Sequence, residues 1–190
     1  MQGEADIEMY NCKELNERVF SHVKSSGIKF VILSNRWSLY TDSSSRPAEF
    51  RAIARDLRLP IDKSSSTKDL IWAIKNTVYR YSSIGTKVIF IEDNPQQIYH
   101  PNDVLRKGRG IGSHYLKFSV SYDEHVKNQK FVNEALRSSG AKVINLDDIL
   151  CNETICPLVA NSNFLYSDDD HLSVAGSLFI SKTLSVRLLH

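Results

Sequence analysis

The sequence predicts an α/β domain, a three-layer α/β/α sandwich with a parallel sheet at its centre, and three observations lead there. Three short runs rich in branched residues, 29–33 (KFVIL), 87–91 (KVIFI) and 142–146 (KVINL), are nearly continuous in apolar side chains. Strands buried on both faces of a parallel sheet read this way. Segments of helical periodicity alternate with these runs in the order α-β-α-β-α-β-α, and such alternation builds a parallel sheet covered on both faces. A glycine (Gly27, Gly85 or Gly140) stands two residues before each run, where a preceding helix ends.

The helices follow in order. Residues 13–25 carry Leu15, Val19, Phe20 and Val23 at helical spacing. Residues 66–82 have Ser66 as the expected N-cap, Asp69 in the first turn, and an apolar stripe of Leu70, Ile71, Ile74 and Val78. Residues 121–139 open with Ser121 and Glu124 at capping-box spacing, with Phe131, Val132, Ala135 and Leu136 facing inward. The last helix, 173–188, starts at Ser173 and carries Ala175, Leu178, Phe179 and Leu188. The stretch 92–120 reads as loop, and a loop of that length in an α/β fold is often functional. Three strong strands are fewer than a doubly wound sheet usually has. The first strand-turn-helix unit is therefore expected to be absent or to lie upstream of residue 1.

Composition bounds the class. A chain of 190 residues has room for one domain, 1–190, and shows no repeat or internal boundary. At 42% hydrophobic and 24% charged residues it is not a disordered chain. A net charge of +2 is too near neutral for a nucleic-acid binder. Apolar runs such as Val88 to Ile91 are far short of a membrane span, and the opening MQGEADIEMY is polar and acidic, unlike a signal peptide. Of the three cysteines, Cys151 and Cys156 bracket CNETIC, a segment that a disulfide can close or that can hold two free thiols. Cys12 has no evident partner. Zinc is not expected, because no second Cys/His pair stands at ligand spacing.

The densest polar cluster, Tyr166-Ser-Asp168-Asp169-Asp170-His171-Leu-Ser173, precedes the last helix. Across a tight bend, Asp168 can reach the Nδ1 proton of His171 and fix the tautomer, leaving Nε2 as a general base. Capping of the helix by acidic residues is the competing reading, and binding of Ca²⁺ or Mg²⁺ is a third, although the spacing is not that of an EF-hand loop. A second spot, Ser34-Asn35-Arg36-Trp37-Ser38, directly follows a strand, where ligand sites of open parallel sheets lie. An amide there can donate to an oxyanion. A plain turn, with Trp37 in the core, is the alternative. The segment Gly108-Arg-Gly110-Ile-Gly112-Ser-His114 fits neither phosphate-loop pattern. It reads as a flexible loop whose Arg106, Lys107 and Arg109 are solvated or attract an anion. Ser113 and His114, as sequence neighbours, rarely align for proton transfer.

Taken together, VILSNRWSLY, VIFIEDNP, SYDEHVKNQKFVNEAL, the pair Cys151/Cys156 and the ending LYSDDDHLSVAGS resemble the SGNH (GDSL-like) hydrolase domain, a flavodoxin-like sandwich. More closely they resemble the periplasmic SGNH domain fused to type-three membrane acyltransferases, which O-acetylate bacterial surface polysaccharides. The resemblance runs from about Cys12 to the C-terminus. It implies Asp168 and His171 as the acid/base pair of D-x-x-H, and Asn35 with Arg36 in the oxyanion and substrate-binding block. There this chain reads Leu33-Ser-Asn35-Arg36 where the family pattern is G-x-N-D. It also implies an oxidising compartment, hence a Cys151–Cys156 disulfide, and a periplasmic domain of a membrane-anchored protein. The partners implied are an acyl donor, a polysaccharide acceptor and an upstream membrane acyltransferase domain. No cofactor or metal is expected.

The family's serine lies in a G-D-S motif, and no G-D-S occurs in this chain. The first strand, the nucleophile and a partner for Cys12 are missing together, so the expectation is an N-terminally truncated SGNH domain. Two rivals stand beside this acyltransferase or esterase reading. One is a non-catalytic glycan- or protein-binding module that has lost its serine; the other is an Asp-rich metal site.

Overall fold

A computed structural model describes residues 12–41, 51–56, 58, 61–107 and 113–189. Its first elements are helix α1 (Cys12–Ser25), strand β1 (Phe30–Ser34), a 3-10 turn (Trp37–Tyr40), α2 (Lys63–Ser82), β2 (Lys87–Ile91), α3 (Pro101–Lys107) and a second 3-10 turn (Ser113–Phe118). There follow β3 (Val120–Ser121), α4 (Tyr122–Arg137), β4 (Lys142–Ile144) and α5 (Asp147–Leu150). The chain then runs through β5 (Ile155–Cys156), β6 (Val159–Ala160) and β7 (Asn163–Phe164) into α6 (Val174–Leu189).

Strands β1, β2 and β4 form one sheet in the order β1-β2-β4, and both pairings are parallel, with Ile32 beside Ile89 and Ile91 beside Ile144. Alternation along the strands divides the core into two layers. Val31, Leu33, Val88 and Phe90 face α1, α2 and α4 through Val23, Leu70, Ile74, Val132 and Leu136. Ile89, Ile91 and Ile144 face α6 and the long connections through Ile180, Val104, Tyr115 and Leu165. The three-layer parallel architecture expected from the sequence is the one observed. Each sheet strand is entered through a glycine with positive φ, +62° at Gly27, +76° at Gly85 and +82° at Gly140, a conformation that costs a side-chain-bearing residue more.

Several local expectations are corrected. The helix read as starting at Ser66 begins at Lys63. Asp62 caps it, accepting from Ser65 N while Ser65 Oγ accepts from Asp62 N. Ser66 lies inside the helix, fully buried, where its hydroxyl accepts from Ile53 N and donates to Tyr40 O. The third strand stops at Ile144 because Asn145 turns its side chain to Glu92 and Asp147. The 92–120 stretch holds α3 and a 3-10 turn. The apolar stripes of the first and last helices are only half covered: Val23 and Ile180 are buried, but Leu15, Val19, Leu178 and Phe179 are exposed.

The outer edge of β1 carries no neighbouring strand among the described residues, and Phe30 and Ile32 are 56% and 49% exposed there. The inner end of the sheet is fixed by a polar web. Glu92, 1% exposed, takes a two-pronged contact from Arg137 and one from Asn145. The buried His125 meets Asp147 at 2.7 Å. These contacts tie α4 to the carboxyl ends of β2 and β4.

Candidate active site

The carboxyl ends of β1 and β2 open onto a cleft of about 310 Å³. Its lining comes from three stretches that are remote in sequence, Ser34 to Ser38, Asp93 to Gln96 and Asp170 to His171, together with Gln129 of α4. Asn35, Arg36 and His171, all singled out from the sequence, are among these residues.

The acidic loop is built from its ends. Leu165 and Tyr166, 2% and 1% exposed, anchor its start in the core. Ser173 N donates to Leu165 O, and Ser173 Oγ donates to Phe164 O and accepts from Gly176 N, which caps α6. Gly176 packs so tightly here that a Cβ would stand 1.9 Å from the Leu165 carbonyl oxygen. Between these anchors the chain turns on Asp168, whose Oδ1 accepts from the backbone N–H of Asp170 and of His171 at 3.0 and 2.7 Å. Its Oδ2 lies 2.8 Å from His171 Nδ1. Capping-type backbone contacts and the carboxylate–imidazole contact therefore coexist on one side chain.

The electrostatics follow from this geometry. Hydrogen bonding to Asp168, and then the nearby charge of Asp170, raises the His171 pKa above its ordinary value. Burial pushes Asp168 up, but the two backbone donors and the imidazole outweigh it and bring the carboxyl down to about 2. Asp170 goes the other way: burial raises it, while Arg36 and His171 partly oppose. Arg36 Nη1 pairs with Asp170 Oδ2 at 2.9 Å, and Asp170 Oδ1 stands 3.1 Å from His171 Nδ1. With Nδ1 held by two carboxylates, Nε2 is the ring nitrogen left for proton transfer. The imidazole is exposed at the mouth of the cleft.

The other groups fall into place around this pair. Asn35 Oδ1 accepts from Arg36 N at 2.9 Å, which leaves the Nδ2 end for a ligand. Trp37 is core, as one reading had it, and its Nε1 donates to Ile91 O. Asp93, 5% exposed, accepts from Trp37 N, Ser38 N and Ser38 Oγ at 2.8, 3.0 and 2.8 Å, and so fixes the turn that presents Asn35 and Arg36. Asn94 Nδ2 donates to Asp170 O at 2.6 Å, Gln96 Nε2 to Asp169 Oδ2 at 3.2 Å, and Gln97 N to Asp169 O at 2.7 Å.

The buried Gln97 also joins the loop to the cysteine segment, through Nε2 to Cys156 O and Oε1 from Val120 N. Cys151 and Cys156 are disulfide-bonded, and Cys12 is an exposed free thiol. Asp168, Asp170 and His171 offer ligand atoms within 4.8 Å of one another, but the Arg36 guanidinium already neutralises Asp170 and opposes a further cation there. The glycine-rich segment 108–112, with Arg109, lies outside the described residues, as do the side chains of Lys107, Ser113 and His114.

Asp93, Asn94, Gln96 and Gln129 have no assigned role in the sequence reading. The strand-end rule that singled out Asn35 applies equally to Ile91 and points to Asp93. Gln129 shares the buried stripe of α4 with His125, Val132 and Leu136, and a polar residue on an apolar stripe is its one sequence signal.

The chain matches the family model described as SGNH domain (fused to AT3 domains) over residues 2–185. Among solved structures, it is similar to the periplasmic domain of the Salmonella ser. Paratyphi A lipopolysaccharide acetyltransferase, with a TM-score of 0.64 and 17% identity. That alignment covers 93% of this chain, whereas the chain spans only 63% of the Salmonella chain. No curated protein matches the chain. Among the described residues no helix is long and apolar enough to cross a membrane.

Proposed function

The chain belongs to the SGNH domains that are fused to AT3 domains, and on that premise we propose that it is part of an O-acyltransferase or esterase domain acting on O-acetyl groups of bacterial surface polysaccharide. The observation that carries this reading is the 2.8 Å contact of Asp168 with His171 Nδ1 at the mouth of a polar cleft that Asn35 also lines. In this proposal Asp168 stays ionised and holds the tautomer, and His171 Nε2 takes the proton of an attacking hydroxyl. Asn35 Nδ2 donates to the oxyanion of the tetrahedral intermediate. Arg36 acts through Asp170, keeping that carboxylate beside the imidazole.

The reaction runs in two balanced halves. A serine hydroxyl attacks the acyl carbonyl of the donor while His171 takes its proton. The imidazolium returns that proton to the leaving group as the ester bond of the donor breaks. A sugar hydroxyl then attacks the serine ester with His171 again as base, and the serine recovers its proton; water in place of sugar gives hydrolysis. The serine is proposed to come from a strand upstream that pairs with the open edge of β1, alongside Phe30 and Ile32. The acyl donor would be supplied by a membrane acyltransferase domain of the same protein, which puts this domain in the periplasm. The test is acetylation of surface polysaccharide by the longer gene product, with loss of transfer in His171→Ala.

One observation favours a second reading: the chain contains no G-D-S. On that reading the cleft binds a glycan or a protein without turning it over, and His171→Ala would leave acetylation unchanged.

A further inference from the structure

The loop that carries His171 is held from outside by one short stretch, residues 94–97. Asn94 Nδ2 donates to Asp170 O, Gln96 Nε2 to Asp169 Oδ2, and Gln97 N to Asp169 O. The first two contacts come from the side chains of half-buried residues. The third comes from the backbone, so it is only as fixed as Gln97 itself. Gln97 is 1% exposed, and its side chain bridges two strands. Oε1 accepts from Val120 N at 3.2 Å, and Nε2 donates to Cys156 O at 3.1 Å. A peptide N–H can only donate and a carbonyl can only accept, so both ends of the amide are assigned. Val120 and Cys156 are themselves partners in the β3–β5 ladder, and the Cys151–Cys156 bridge closes the segment that leads into β5. The amide therefore ties Gln97 to both strands of one ladder at a single point.

The contacts around His171 divide into two kinds. Those with Asp168 and Asp170 lie within the loop and travel with it. The Arg36–Asp170 pair instead joins the loop to the turn after β1, and it survives only while the loop keeps its place. Asn35, on that same turn, shares the cleft with His171. We infer that Gln97 is a positioning residue: by fixing Asp169 O against the β3–β5 ladder, it sets where the His171 imidazole stands relative to Arg36 and Asn35. What this means for acyl transfer rests on the reading above, in which His171 is the base and Asn35 the oxyanion donor. The positioning itself rests only on the contacts named here.

The test is ring-proton NMR of His171 against pH in the 190-residue chain. The charges the imidazole meets are Asp168, Asp169 and Asp170 of its own loop, with Arg36 offsetting Asp170. Gln97→Met keeps the length of the side chain and removes both amide contacts. A loop that shifts as a unit keeps its carboxylates beside the imidazole and loses Arg36. The His171 midpoint should therefore rise, with the sign expected of Arg36→Met, and Arg36→Met should add little in the Gln97→Met background. Thr86→Val deletes a buried contact at the opposite end of the sheet, Thr86 Oγ1 to Ile28 O at 2.7 Å. It should lower stability in urea and leave the midpoint in place. If Gln97→Met does not fold, Gln97→Asn is read instead, a buried amide one methylene too short to span both strands. An unmoved or lowered midpoint, a full Arg36→Met shift on top of Gln97→Met, or an equal shift in Thr86→Val overturns the inference. None of these outcomes depends on acyl transfer, which stands or falls separately on His171→Ala.

Discussion

Arg36 and Asp170 form an ion pair of 2.9 Å that joins the turn after the first sheet strand to the loop carrying His171. Both side chains are mostly buried, so the pair is less screened than a surface one. It makes the acidic loop and the Asn35 turn one unit, and it sets the charge that the imidazole meets from Asp170.

Two substitutions should therefore move the His171 titration in opposite directions. Asp168→Asn removes the partner that raises the His171 pKa most, and the midpoint should fall. Arg36→Met removes the cation that offsets Asp170, and the midpoint should rise. Ring-proton NMR of His171 against pH reads both, and shifts of the same sign would mean that Arg36 does not act through Asp170. The stability linkage has a definite sign as well. Asp168, held down to about 2, contributes stability above its ordinary value that is lost as pH falls toward about 2. His171, raised, contributes stability below its ordinary value that is lost as pH rises through its folded pKa. Asp168→Asn should flatten both limbs of stability against pH.

Asp93 should matter for folding more than its distance from His171 suggests. Asp93→Leu leaves Trp37 N, Ser38 N and Ser38 Oγ without their acceptor in a buried turn, and should cost about 2–4 kcal/mol in urea unfolding. A loss under about 1 kcal/mol would mean that the turn finds other acceptors. Burial raises the pKa of Asp93, so on acidification Asp93 takes up its proton before Asp168 does. Because the folded protein binds that proton more readily than the unfolded chain, this uptake by itself does not lower stability as the loss of ionised Asp168 does.

The cysteine pattern predicts a simple count. Unfolded, non-reduced protein should titrate as one free thiol per chain, Cys12, with Cys151 and Cys156 bridged. The closed loop is short, so removing the bridge with Cys151→Ala and Cys156→Ala together should cost about 2 kcal/mol on chain-entropy grounds. Three free thiols from oxidised material would place these cysteines in the reduced state.

What the sequence made legible was local. Continuous apolar runs after a glycine marked all three sheet strands, because a strand covered on both faces leaves little room for a polar residue. Asp168 and His171 were legible because they are three residues apart at a helix entrance, where one carboxylate serves backbone and imidazole alike. The partners brought in by the fold were not. Nothing near Arg36 in the chain announces Asp170, and nothing near Ser38 announces Asp93. Leu178 and Phe179 show the matching limit: periodicity marks an apolar face but does not say whether anything covers it.

Activity is where the two readings of this domain part. Nucleophilic acyl transfer needs an oxygen or sulfur that His171 can deprotonate at roughly 3 Å. Ser38 lines the cleft, but its hydroxyl is held by Asp93 at 2.8 Å. Ser34 lines it at the end of the sheet's edge strand, and the G-D-S serine is not in the chain. The 190-residue chain should therefore hydrolyse p-nitrophenyl acetate little faster than its His171→Ala variant, apart from the modest help an Asp–His pair gives to attack by water. Adding an upstream segment that supplies G-D-S should raise the rate by several orders of magnitude, as completing a triad does. That gain should vanish again in His171→Ala. Strong His171-dependent hydrolysis by the bare chain, with an acetyl group trapped on Ser34, would move the nucleophile to the end of β1 and make the open edge of the sheet irrelevant to catalysis.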